Sequence, residues 1–243
     1  MISLVRLYEK VKMKYIHLTE GILEAFHKAY ESAQANYESA SALAERNLYG
    51  PATSLAVLSL EEVGKMILLD GLLFARKDDE RYKAYEKRHL RHKMKLDALE
   101  IYPLFLGYVS LIDSRQDEKR YKQTMVIIIN DLKAKRQKLI KLFGESFALA
   151  DLDSLKQKGF YSHEENGYFK SNKEGIQLEE AKAVIDLAWR VTDSLKFVLG
   201  KHMDGYKERF ITYRKGIDEE ALQEMRKEAE IIVKNVFEND GES

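Results

Sequence analysis

Three observations predict an all-α bundle carrying a small extended or hairpin insertion ahead of its C-terminal helices. Only two prolines occur in 243 residues. Apolar residues recur at three- and four-residue spacings through segments rich in Ala, Leu, Glu and Lys. The one stretch without that periodicity, Gly144 to Gln177, holds Gly159-Phe160-Tyr161 and Gly167-Tyr168-Phe169 around the polar turn His163 to Asn166.

Each element follows from local pattern. An amphipathic segment covers Ile2 to Tyr15, and Thr19 is the expected N-cap of a long helix reaching about Asn47, with Ile22, Phe26, Tyr30, Ala33 and Tyr37 as its apolar stripe. Tyr49-Gly50-Pro51 separates it from a second helix, because proline is tolerated where the helix begins. That second helix runs to about Ala75, is apolar around most of its circumference, and is expected to be the most buried. Lys77-Asp78-Asp79 forms a turn, and an Asp there caps a third helix from Glu80 to about Tyr102, where Pro103 enforces a kink or an end. A fourth helix, from about Gln116 to Phe143, has acids first and Lys133, Lys135, Arg136, Lys138 and Lys141 last, the order the helix dipole favours. Val126 to Ile129 reads as its apolar centre. Helix returns from Leu178 to about His202, with Trp189 expected in the core or a dimer interface, and again from Asp218 to Phe237. The organisation expected is an amphipathic segment over 1–17, a helical bundle over 18–203, and a C-terminal helix with a frayed tail over 204–243.

Composition narrows the function classes. Forty basic and forty acidic residues cancel, which excludes a strongly polarised nucleic-acid binder on net charge and leaves local patches to decide. Cysteine is absent, so thiol chemistry and Cys-ligated zinc are excluded. No apolar block approaches the roughly 20 residues of a bilayer span. With no leader-like opening either, the expectation is a cytoplasmic protein without membrane contact.

Two clusters carry the candidate chemistry. Leu60-Glu61-Glu62-Val63-Gly64-Lys65 sets three charges into the most apolar helix, and buried charges are costly unless paired. At about 100° per residue, Glu61, Glu62 and Lys65 can form one compact group. On the third helix, Arg88, Arg91, His92 and Lys95 share an arc of about 100°, with Lys93 to one side. Seven Lys or Arg fall between Arg81 and Lys95 against one acid, Glu86. Consecutive helices joined by a short turn pack antiparallel, which would bring the acids to the cations. Glu61 or Glu62 would then orient Arg88 and His92, with His92 as general acid or base and Arg88, Lys65, Arg91, Lys93 and Lys95 holding a phosphodiester. That is RNA cleavage by the ribose 2′-hydroxyl, needing neither metal nor organic cofactor.

At these residues the chain resembles a known family. Gly50-Pro51-Ala52-Thr53-Ser54-Leu55-Ala56-Val57-Leu58-Ser59-Leu60-Glu61-Glu62-Val63-Gly64-Lys65, followed by Arg88-His89-Leu90-Arg91-His92-Lys93-Met94-Lys95-Leu96, is similar to the AbiV abortive-infection proteins of bacterial phage defence. Leu155-Lys156-Gln157-Lys158-Gly159-Phe160-Tyr161 and the helix from Glu179 extend the resemblance to roughly Ala35 to Leu195. Glu61, Glu62, Lys65, His92, Lys93 and Lys95 are the matching motif positions. The resemblance implies a HEPN-like helical bundle, a homodimer, and an intracellular antiphage protein acting on RNA, the ribosome or translation, with a phage-encoded protein as activator. Active HEPN proteins are endoribonucleases that use an Arg and a His separated by four to six residues. This chain departs from that spacing, with three residues between Arg88 and His92 and seven between Arg81 and His89.

Two other readings stand beside it. Glu24-Ala25-Phe26-His27 and Glu86-Lys87-Arg88-His89 are both Glu-x-x-His and, with Glu61 or Glu62, mimic a di-metal carboxylate bundle, although Lys87, Arg88 and Arg91 oppose a divalent cation. Alternatively, the charged core only specifies packing, and the basic faces bind RNA, the ribosome or a phage protein without cutting.

Overall fold

The computed structural model describes residues 4–74, 91–103, 105–106, 118–161, 163–165, 168–170 and 175–199. Among them are six α-helices and one two-stranded hairpin: α1 Leu4–Glu45, α2 Tyr49–Phe74, α3 His92–Ala98, α4 Glu118–Phe143, α5 Leu152–Phe160, β1 His163–Glu165, β2 Tyr168–Lys170 and α6 Leu178–Leu199. Short 3-10 turns at Leu99–Ile101 and Leu149–Asp151 follow α3 and precede α5. No helix among the described residues is long and apolar enough to cross a membrane.

The first helix is longer than its caps suggest. Thr19 does not start it; α1 runs unbroken from Leu4 for 42 residues. Residues 16–22 contain no proline, and a threonine inside a helix costs only about 0.7 kcal/mol, too little to break a continuing amphipathic pattern. Its end is better signposted. Asn47 adopts φ 59, while the Asn47 and Leu48 amides donate to the carbonyls of Ala44 and Leu43 at 2.9 and 3.0 Å. This is a Schellman closure, in which a left-handed Asn stands in for glycine.

Helix α2 is the centre of the bundle, packing against α1, α3, α5 and α6. Its Ala52, Ala56, Val57, Leu60, Val63 and Met66 are fully buried. The expected stripe of α1 meets it: Ile22, Phe26 and Ala33 are buried, with Tyr30 and Tyr37 half-buried beside them. Ser59 Oγ donates to the Ala33 carbonyl at 2.7 Å, tying the two helices at a point where only small side chains intervene. On the far side, Tyr102 Oη donates to the Val191 carbonyl at 2.7 Å and holds the chain after α3 against α6. Burial pushes the Tyr102 hydroxyl far above its ordinary range, so it stays a neutral donor.

Three expectations need correction. The helix placed from Glu80 to Tyr102 is not continuous: its residues 80–90 lie outside the described part, and Arg91 is extended at φ −102, ψ 125, so α3 begins only at His92. The piece Gly159-Phe160-Tyr161 is not a strand, because Gly159 and Phe160 complete α5. The hairpin lies just beyond it, with Glu164 opposite Phe169. Finally, Val126 and Ile127 of the supposed apolar centre of α4 are exposed, whereas Ile128 and Leu132 are buried. The helix Asp218–Phe237 lies outside the described residues.

Two glycines allow the close crossings around α2. A Cβ built on Gly64 would stand 1.8 Å from the Lys95 carbonyl oxygen of α3, and one on Gly159 would stand 2.2 Å from the Gly50 carbonyl oxygen of α2. Gly64→Ala and Gly159→Ala should therefore each destabilise by at least about 2 kcal/mol through forced separation of helices. Gly21→Ala, in the interior of α1 with nothing within 4 Å of the new methyl, should stabilise by about 0.5–1 kcal/mol. Urea unfolding of the three variants checks both signs.

Candidate active site

The two clusters meet at one carboxylate. Glu61, on the inward side of α2 and only 1% exposed, receives His92 Nδ1 on Oε2 at 2.5 Å and Lys156 Nζ on Oε1. His92 is the first residue of α3, and Lys156 lies in the middle of α5. One buried acid thus joins three helices that are far apart in the chain. Lys156 is itself buried, its side chain 4% exposed, and its ammonium also lies 2.7 Å from Asp153 Oδ1. That second contact is an ion pair without hydrogen-bond geometry. The imidazole is different, with its side chain 55% exposed, so one edge is held by Glu61 and the rest faces water.

Backbone packing sets this geometry. Gly64 lies three residues after Glu61, and Lys95 three after His92; the close Gly64–Lys95 approach and the Glu61–His92 bond are two points of one helix contact. The paired positions advance in the same sense, unlike the antiparallel pairing that a short connection predicts. On the other flank, Ser54 Oγ donates to the Lys156 carbonyl at 2.8 Å, one α5 turn from Gly159, which seats against Gly50. Lys156 is therefore anchored at its backbone as well as its ammonium.

The remaining predicted residues separate into groups. Glu62 and Lys65 do not join Glu61; they are half-buried and pair with each other at 3.4 Å. The turn of about 100° between neighbours sends Glu61 inward and Glu62 outward, and Lys156 takes the place at Glu61 that Lys65 was expected to fill. Arg91 and Lys93 are exposed and Lys95 is half-buried, so they flank His92 on the solvent side. Arg88 lies outside the described residues, as do Glu86 and His89. Lys156 and Asp153 were missed by sequence reasoning. The only signal for Lys156 was that Leu155 to Tyr161 belongs to the family-like segments, and Asp153 lies just before that segment.

The di-metal arrangement is not built as expected. Glu24 and His27 lie on the solvent side of α1, bonded to Lys28 at 2.7 Å and Glu31 at 3.3 Å rather than facing inward. Among the described residues, ligand atoms of Glu61, His92 and Asp153 do lie within 4.8 Å of one another. The Lys156 ammonium sits between two of those three acidic and imidazole groups, however, where a metal ion would have to displace it.

Other polar features lie elsewhere. A cavity of about 50 Å³ is lined by Leu60, Leu99, Tyr102, Leu132, Leu149 and Val191, with Glu100 and Arg136 in a two-bond pair at 2.7 and 3.0 Å. Burial pushes the Glu100 carboxyl up, against the opposing pull of Arg136. None of Glu61, His92 and Lys156 lines this cavity. Trp189 is 39% exposed rather than core, stacked beneath Lys135 and Arg190 at 5.4 and 4.8 Å from its ring centre.

A family model described as AbiV matches residues 21–193, which span α1 from Gly21 through most of α6 and include Glu61, His92, Asp153 and Lys156. No curated protein and no solved structure matches the chain.

Coupling between the two buried charges is open to direct measurement. Lys156→Met should cost about 3–5 kcal/mol, because it leaves Glu61 without its buried partner. Adding Glu61→Gln should recover part of that loss, so that the double variant is about 1–3 kcal/mol more stable than the sum of the single changes predicts. Additive effects in denaturant unfolding would show that the ammonium and carboxylate are not coupled.

Proposed function

The chain belongs to the AbiV family of HEPN-like abortive-infection proteins, and from that membership we propose that it is an RNA-directed antiphage effector, an endoribonuclease whose working group is His92. The observation that supports this reading is the bond from Glu61 to His92, which secures one edge of an imidazole whose side chain is otherwise more than half exposed. A histidine so held is oriented for proton transfer and still reachable by substrate.

The chemistry follows from the residues present. His92 removes the proton of a ribose 2′-hydroxyl, and the freed oxygen attacks the adjacent phosphorus. The bond from phosphorus to the 5′ oxygen breaks, leaving a 2′,3′-cyclic phosphate and a 5′-hydroxyl. Water protonates the leaving oxygen, and the imidazolium returns its proton to water, so the step needs no other reactant. Arg91, Lys93 and Lys95 supply positive charge against the developing negative phosphate, with Arg88 and Lys65 assigned to the same role. As a homodimer, the protein would double its phosphate contacts and present a cleft between protomers, with a phage-encoded protein as the trigger.

A second reading is favoured by a specific observation. The Glu61 to Lys156 pair is fully enclosed, as expected of a device that fixes packing, and the Arg-to-His spacing departs from that of active HEPN nucleases. In this reading the basic edge of α3 binds RNA, the ribosome or a phage protein without cleavage.

Purified protein incubated with tRNA, mRNA and ribosomes, with and without phage lysate, separates the two. Cleavage should end in cyclic phosphates and fall at least about 100-fold in His92→Ala. Intact RNA under every condition, with salt-sensitive binding retained, would leave the binding reading. Under either one, Lys93→Ala should flatten the logarithmic salt dependence of single-stranded RNA binding by about 0.7. Light scattering at micromolar concentration should give twice the chain mass, and a monomer would remove the dimer.

A further inference from the structure

Lys156 stands outside the charged motifs of the second and third helices, and its place in the site calls for a role. We propose that Lys156 is a positioning residue for His92: by occupying Oε1 of Glu61 it leaves Oε2 to accept from Nδ1, which fixes the neutral imidazole as the Nδ1–H tautomer and turns Nε2 toward substrate as the base. This inference rests on the reading of His92 as a proton-transfer group.

The donor inventory leads there. A carboxylate only accepts, so the nitrogen of His92 that bonds to Glu61 must carry the hydrogen, and a neutral imidazole has one such hydrogen. The other ring nitrogen then holds a lone pair, which is what a general base requires. Which carboxylate oxygen faces the ring is set by Lys156. Its ammonium is enclosed and has Glu61 Oε1 and Asp153 Oδ1 as its ion-pair partners. Its backbone cannot drift, because Ser54 Oγ holds its carbonyl at 2.8 Å and Gly159 rests on Gly50 one turn away. The carboxylate is clamped from the inside, and the ring reads its orientation from the outside.

The clamp also balances charge. From α2, Glu61 bonds the ring; from α5, Lys156 holds the other carboxylate oxygen, and an oxygen of Asp153 lies within 4.8 Å of a ring nitrogen; on the ring's own side Arg91, Lys93 and Lys95 are all cations. With Lys156 holding Oε1, the carboxylate presents Oε2 alone to the ring, and the single hydrogen of a neutral imidazole is drawn to the nitrogen that faces it. A lysine placed here fixes how the carboxylate meets the ring, whereas a merely structural pair would be indifferent to the ring's hydrogen.

The test reads nitrogen resonances of the histidine side chains in the ¹⁵N-labelled full-length protein, at a pH where imidazoles are neutral, with His92→Ala to assign the signal. The native protein should show His92 with its hydrogen on Nδ1. In Lys156→Met that signature should be lost to the Nε2–H form or to a mixture of tautomers, and kcat for RNA cleavage should fall at least about tenfold with KM little changed, since the wrong tautomer can cost a histidine enzyme up to about 10⁴-fold. Lys156→Arg, which retains a cationic donor, should keep the Nδ1–H form. A native His92 carrying its hydrogen on Nε2 overturns the proposal whether or not Lys156→Met folds, and so does a folded Lys156→Met whose tautomer and kcat match the native protein. The spectrum needs no substrate. A native protein with the Nδ1–H form that cuts no RNA would therefore overturn the nuclease reading and leave the positioning role standing.

Discussion

An ionised carboxylate inside a helical bundle needs donors in place of water, and the arrangement of this protein follows from that demand at Glu61. The acid sits at the middle of the most enclosed helix, with alanine, valine and leucine on the neighbouring turns. Solvation lost there must be replaced by donors, and they come from two other helices at once. The consequence is more than local stability. Because each oxygen has its own donor, α3 and α5 are both registered against α2 at the same level, and the glycines at 64 and 159 permit the approach that those short contacts need.

Burial is graded across this cluster, and the gradient matters for chemistry. Lys156 is enclosed, Glu61 is enclosed, and His92 opens to water on the side away from the acid. A fully enclosed triad would be a packing device, and a fully exposed one would hold no fixed geometry. Here the fixed part is inside and the reactive part outside. The exposed cations Arg91 and Lys93 adjoin His92 in the chain, Arg91 in extended backbone just before α3 and Lys93 within its first turn. The nearby Glu62 and Lys65 pair with each other and so leave the inner acid to its two long-range partners.

Much of the fold was legible in the chain. The Asn47 terminus, the centrality of α2, the stripe of Ile22, Phe26 and Ala33 and a hairpin near Tyr168 all follow from period, burial pattern and turn chemistry. Errors arose where those signals are short or conflicting. Thr19 resembles a cap but lies within a sustained pattern, so propensity yielded to the continuing helix. Helix α5 has nine residues and a glycine near its end, too few turns for a period to emerge, and its Gly-Phe-Tyr ending imitates a strand. Val126 and Ile127 are apolar by composition, yet the burial on this stretch of α4 falls on Ile128 and Leu132 instead.

By itself, the sequence determined the helical class, the burial of α2, and the need for Glu61 to find partners; it also pointed to His92 as one of them. Only the tertiary structure decided the other partner. Lys156 lies between Leu155 and the polar pair Gln157 and Lys158, where a lysine ordinarily projects into solvent, and nothing local marks it as enclosed. It is selected by a crossing of α5 over α2 that joins residues 95 positions apart. Electrostatic need is visible in a linear pattern, but the identity of the group that answers it depends on which helices can approach, and that is a property of packing in three dimensions.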